Sequence, residues 1–193
     1  QLQSMPAYKK KYNTTCNYDF IWGNLPFHNN GKSFVPGLAK AHGNNKEVTK
    51  PNNIKTVWPL IIHELFQNYL QIGGYFLGII PCIWLKQDKA KIYDLFVKQN
   101  QLCFLKIFNC VQANSIFGYH CQTPICYVMV KKMDYKILQE DRSCNFQLFD
   151  FCVNDYINFN LYPNNCIPTN YGSLFQKSMD YIVKKRQNGT TSV

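Results

Sequence analysis

Apolar and polar residues alternate along this chain in rhythms that change with position. Over 56–72, Val57, Trp58, Ile61, Ile62, Leu65, Phe66, Tyr69 and Leu70 recur at steps of three and four, while His63, Glu64, Gln67, Asn68 and Gln71 take the other side. That spacing predicts an amphipathic helix. Thr56 can cap it, Pro59 is tolerated in its first turn, and Gly73-Gly74 can end it. Tyr75 to Leu85 is apolar and rich in Ile and aromatics, and reads as a strand broken at Pro81. Asp88 to Gln99 reads as a shorter helix with Ile92, Leu95 and Phe96 inward and Asp88 as its cap.

From 102 to 161 the pattern turns to β-branched and aromatic runs, at 102–108, 125–130, 135–138, 145–153 and 156–161. Ser173-Leu-Phe-Gln176 has the form of a capping box and opens a final helix to Arg186, whose Lys184-Lys185-Arg186 cluster suits the negative end of a helix dipole. Helices on either side of a β region predict an α+β domain, with helices packed on a mainly antiparallel sheet. The expected organisation is an extended N-terminal segment at 1–15, one domain at 16–186 and a flexible tail at 187–193. The irregular stretch 17–53 is punctuated by Gly and Asn pairs and carries Trp22, Phe27 and Phe34.

Composition changes the picture in two ways. Charged residues are 17% of the 193, below the usual quarter, and the net charge is +10. A basic chain attracts polyanions and acidic surfaces, but Lys9-Lys10-Lys11 and Lys184-Lys185-Arg186 lie near the ends and read as solvated. The interleaved aromatics sit at core-like spacings, so nucleic acid is not the favoured partner.

Nine cysteines, Cys16, Cys82, Cys103, Cys110, Cys121, Cys126, Cys144, Cys152 and Cys166, occur with no C-x-x-C pair. Such scattered spacing predicts a disulfide framework stapling the sheet, with unknown pairing and one cysteine unpaired or bonded to another chain. Sequons at Asn13 and Asn188 fit the same oxidising compartment. The start is polar, so any signal peptide is expected to have been removed, and no apolar run reaches membrane-spanning length.

Diagnostic catalytic motifs are missing. His63-Glu64 lacks a second His four positions on, and there is no P-loop, dinucleotide-binding glycine pattern or nucleophile elbow. His63-Glu64 resembles the His-Glu step of secreted acid ribonucleases of the T2 class. That likeness implies acid–base cleavage of RNA by His63, Glu64 and His120. Gln67 and Asn68 stand where the family has Lys-His, and Ile21-Trp22-Gly23-Asn24-Leu25-Pro26 is no counterpart of its other histidine block. A carrier of a small apolar ligand is a second alternative.

The preferred expectation is a secreted or envelope-associated glycoprotein, not an enzyme, binding another extracellular glycoprotein or receptor through Trp22, Phe27 and Phe34. No cofactor or metal is expected. In size, cysteine number, sequons, composition and lack of a span, the chain resembles the small accessory subunits of herpesvirus entry complexes, the roseolovirus glycoprotein Q group. The resemblance implies a place on the virion surface and a part in receptor binding.

Overall fold

The computed structural model describes residues 17–25, 57–118, 123–134, 144–162 and 165–189. Strands β1 (Tyr18–Asn24), β2 (Leu70–Pro81), β3 (Gln101–Phe108), β4 (Ile125–Lys131), β5 (Cys144–Asp150) and β6 (Asp155–Leu161) form one six-stranded sheet in the order β1-β2-β4-β3-β5-β6. The helices are α1 (Trp58–Glu64), α2 (Cys110–Phe117) and α3 (Gly172–Gly189).

The domain is α+β, but its sheet is mixed rather than mainly antiparallel. β1 is parallel to β2 and β3 to β5, while β4 is antiparallel to both β2 and β3 and β6 to β5. Hence β1, β2, β3 and β5 all run one way. The expected antiparallel sheet follows from strand-rich sequence at 102–161, where consecutive strands invite hairpins. Strand content does not reveal that β4 doubles back between β2 and β3, or that β3 and β5 pair side by side.

The amphipathic helix predicted at 56–72 is shorter. α1 runs into a π-helical turn, Leu65–Tyr69, and Leu70 already has extended backbone and begins β2. Pro59 does lie in the first turn. Thr56 lies outside the described residues. Lys132 ends the helical run: its ammonium donates to the Leu70 carbonyl at 2.7 Å and also to that of Phe66. Burial lowers its pKa from the ordinary lysine value.

β2 then continues without a break to Pro81, which is followed by a short 3-10 turn, Cys82–Trp84. Asp88 caps the next helical segment as expected, accepting from the Tyr93 N–H at 3.0 Å; that segment also widens into a π-helical turn, Asp94–Lys98. Asn100, buried, bonds the Leu95 carbonyl and the Met133 N–H, tying this turn to the end of β4. α2 is absent from the sequence reading. It is stopped by Gly118 at φ 66° and started by a capping box of Asn109 and Gln112. The strand expected at 135–138 lies outside the described residues.

The two faces of the sheet differ. Phe76, Ile80, Val128, Val130, Leu102, Leu105, Phe146, Leu148, Phe159 and Leu161 form the dry face and join the main core with Trp58, Ile61, Ile62, Phe66, Trp84, Ile92 and Phe96 from the helical segments. Gly78 belongs to this face because a Cβ there would lie 2.5 Å from the Phe76 ring. On the opposite face, α2 covers one end through a small cluster of Phe108, Ala113 and Ile125, with Ile79, Phe117 and Tyr127 against it.

The expected Ser173–Gln176 capping box is replaced by a longer-range arrangement. Asp150, at the end of β5, accepts from the Ser173 N–H at 2.7 Å and from the Cys152 N–H at 2.9 Å. The Gln176 side chain instead accepts from Asn160 N–H of β6 at 2.8 Å. Burial pushes the Asp150 carboxyl upward, but the backbone and side-chain donors of Ser173 and Cys152 outweigh it and hold its pKa below the usual value. Because the folded pKa is depressed, this contribution to stability is complete above the unfolded pKa and is lost as pH falls through the folded one. Replacing Asp150 with Ala leaves both N–H groups without their acceptor and should cost about 1–3 kcal/mol. In urea melts, the gap between wild type and variant should close as pH falls through the acid range. A gap that stays constant with pH would contradict the role given to the ionised carboxylate.

Candidate functional site

The parallel strands place their carboxyl ends along one edge of the sheet. Asn24 closes β1 beside Ile79 of β2, and Pro81, Ile125 and Phe108 lie in register across β2, β4 and β3. In open α/β sheets, ligands bind outside such carboxyl ends, where backbone groups are free of the ladder. Asn24 is exposed there, followed by the partly buried Leu25.

The open sheet face adjoins this edge. Its registered rows read Asn24–Ile79–Tyr127–Lys106 and Trp22–Leu77–Met129–Phe104–Gln147–Asn158. Trp22 is 76% exposed and Phe20 49%. Across β4, β3, β5 and β6 the rings form one series. Tyr127 lies 4.8 Å from Phe108 and Phe108 6.2 Å from Phe151. Phe151 is 4.8 Å from Phe149, Phe149 4.9 Å from Tyr156, and Tyr156 5.2 Å from Phe104. These distances are those of edge-to-face and offset aromatic pairs. The Lys106 ammonium sits 3.7 Å from the Phe149 ring centre, a cation–π contact, and Lys131 lies 5.6 Å from Tyr75.

The residues singled out from sequence are not gathered into one site. The His63 imidazole donates through Nε2 to the Ala90 carbonyl at 2.8 Å, which makes it a link between α1 and the following segment. Glu64 lies beside it on α1, where its charge adds to burial in raising the Tyr69 pKa. Trp22 is on the open face. Asn188 falls in the last turn of α3, which runs to Gly189 and so takes in residues expected in the tail. His120, Asn13, Phe27, Phe34, Cys16 and Cys121 lie outside the described residues. Sequence reasoning passed over Asn24, Lys106 and the ring series. The available signal was the alternation of Phe104, Lys106 and Phe108 along β3.

The disulfide framework is also corrected. Cys82, Cys103, Cys110, Cys126, Cys152 and Cys166 are free thiols, and no disulfide joins the described cysteines. The nearest approach to a staple is Cys82 and Cys126, which hydrogen-bond as thiols; that bond and burial push the Cys82 pKa far up. Cys126 also donates to the Ile80 carbonyl. Three of the seven described cysteines, Cys82, Cys126 and Cys144, are buried and act as small apolar core residues. Among the described residues no His, Cys, Asp or Glu cluster could hold a metal, and no helix is long and apolar enough to cross a membrane.

No protein-family model matches the chain, and no curated protein does. Among solved structures, the chain is similar to one described provisionally as a class I S-adenosylmethionine-dependent methyltransferase from Listeria monocytogenes, with 13% identity and TM-score 0.43, covering 69% of this chain and 37% of that one. It is also similar to a structure of a type I R-M system, with 12% identity and TM-score 0.46, covering 87% of this chain and 30% of the other. The chain therefore spans about a third of the length of each. One is described as a methyltransferase and the other as an R-M system, neither an extracellular binding protein, and the expected secreted glycoprotein subunit, with its ribonuclease and carrier alternatives, is corrected accordingly. The reading of the chain as a non-enzyme is corrected with them, and no disulfide framework joins the described cysteines.

Alkylation of unreduced protein in denaturant, read peptide by peptide, should label all seven described thiols. Without denaturant, exposed Cys152 and Cys166 should react ahead of buried Cys82, Cys126 and Cys144. A bridged peptide containing any of these would contradict the structure.

Proposed function

We propose that this chain supplies the acceptor side of a group-transfer enzyme acting on a nucleobase, with methyl transfer to an exocyclic amine as the reaction. The observation that carries this reading is the exposed Asn24 at the carboxyl end of β1, beside the parallel β2. An Asn carboxamide offers an acceptor and a donor side by side, the complement of the amine and ring nitrogen of adenine. Its carbonyl can accept an N–H of the amine and orient the nitrogen lone pair for attack.

S-adenosylmethionine is the methyl donor printed for one similar structure, and when bound it would supply the electrophilic methyl group. Among the described residues no glycine-rich strand-to-helix turn stands ready to cradle such a molecule, so no residue is assigned to it.

The test is base preference. Oligonucleotides carrying one unpaired adenine, or inosine in its place, are titrated against the quenching of Trp22 fluorescence; Trp58 and Trp84 are buried and contribute little. A bidentate contact predicts adenine favoured by about 1–3 kcal/mol, with the preference abolished in Asn24→Ala. Equal binding of the two oligonucleotides by the wild type would contradict the reading.

A further inference from the structure

The open face of the sheet has a character that a catalytic edge does not need. A sheet face left to water is ordinarily polar, alternating with the buried side. Here its strand positions include Phe20, Trp22, Tyr75, Leu77, Met129, Tyr127, Phe104, Phe149 and Tyr156, relieved by Asn24, Asn145, Gln147, Asn158, Asn160, Lys106 and Lys131. Tyr156 is 42% exposed and Phe151, at the turn beyond β5, 36%. Patches of this kind mark binding surfaces.

Charge and ring geometry select the occupant. Among the described strand residues on this face, the ionisable side chains other than tyrosine are Lys106 and Lys131, and no carboxylate joins them. Aromatic rings also serve protein interfaces, so it is their combination with cations and no carboxylate that points to a polyanion bearing planar groups. Rings at 4.8–6.2 Å from one another across adjacent strands, with cations among them, provide what single-stranded nucleic acid requires: π-faces for successive bases and positive charge for the backbone. Gln147, hydrogen-bonded to Asn158, adds amide groups within the row. A duplex has its bases stacked internally and presents no free π-face to such a surface.

We infer that this face is a docking platform for single-stranded nucleic acid, with bases stacking on Tyr156, Phe151 and Phe104 and phosphates drawn to Lys106, which Phe149 holds in place through its ring. The surface leads along the Asn24–Ile79–Tyr127–Lys106 row toward the carboxyl edge. It stands independently of the chemistry proposed there.

The experiment is fluorescence anisotropy with labelled oligo-dT and oligo-rU of twelve nucleotides, and a duplex of matching length, over a range of salt. Wild type should bind both single strands more tightly than the duplex. Tyr156→Leu should weaken single-strand binding about tenfold, and Phe151→Leu similarly, with the circular dichroism spectrum unchanged. Lys106→Gln should weaken it and make the slope of log affinity against log salt shallower by about one. Either leucine variant that unfolds is replaced by Trp22→Leu, whose ring is largely in water. Single-strand affinity unchanged in the ring variants, or a duplex bound equally well, would overturn the platform and leave charge attraction alone. Loss of adenine preference in Asn24→Ala with single-strand affinity retained would separate the two sites.

Discussion

Strand β4 is hydrogen-bonded on both sides, antiparallel to β2 on one flank and to β3 on the other, over most of its length. The rest of the molecule depends on that double pairing. It forces β2 and β3 to run in the same direction without touching, and it aligns β5 with them through β3. The carboxyl ends of β1, β2, β3 and β5 therefore share one edge. Its inward side chains, Val128 and Val130, are fully buried in the main core, while Tyr127, Met129 and Lys131 face the open side. Period-two alternation thus sorts a helix-covered face from an aromatic one within a single strand. Gly78 makes room for the Phe76 ring where β2 passes β4, so the close packing on the dry side has a defined sequence requirement.

Much of the architecture was legible in the sequence, because local pattern and local structure agree there. The amphipathic run beginning at Trp58, the Asp88 cap and the strands at 101–108, 125–131 and 155–161 follow from spacing and residue type. What was not legible is set by contacts between distant residues. Leu70 and Gln71 continue a helical pattern but are drawn into β2 by pairing with β1, and Lys132, 62 residues away, caps the helical run that ends there. Ser173 and Gln176 have the spacing of a capping box, yet Asp150 supplies the cap from across the sheet. Strand directions, and hence the mixed sheet, carry no signature in composition.

The cysteines show how a sound compositional argument can point the wrong way. Scattered spacing suggested bridges, but Cys82, Cys126 and Cys144 occupy buried positions that a small apolar side chain fills. The aromatic residues carry the opposite lesson. Phe104, Tyr127, Phe149 and Tyr156 have the spacing expected of a core, and only the position of α2 and α3 relative to the sheet shows that their side is left largely uncovered by the described residues. For the site itself, Trp22 was singled out, while Asn24 two residues on was not, since an asparagine in a turn-rich stretch is unremarkable until a strand is seen to end there.

The most direct test of the account is photocrosslinking of a bromodeoxyuridine-substituted single strand to the native chain, with adducts located by mass spectrometry. The account predicts adducts on Trp22, Phe104, Phe151 and Tyr156, on the open face and its approach to Asn24. Adducts confined to the outer surface of α3, at Lys184 and Lys185, would contradict it and assign binding to a basic helix end instead.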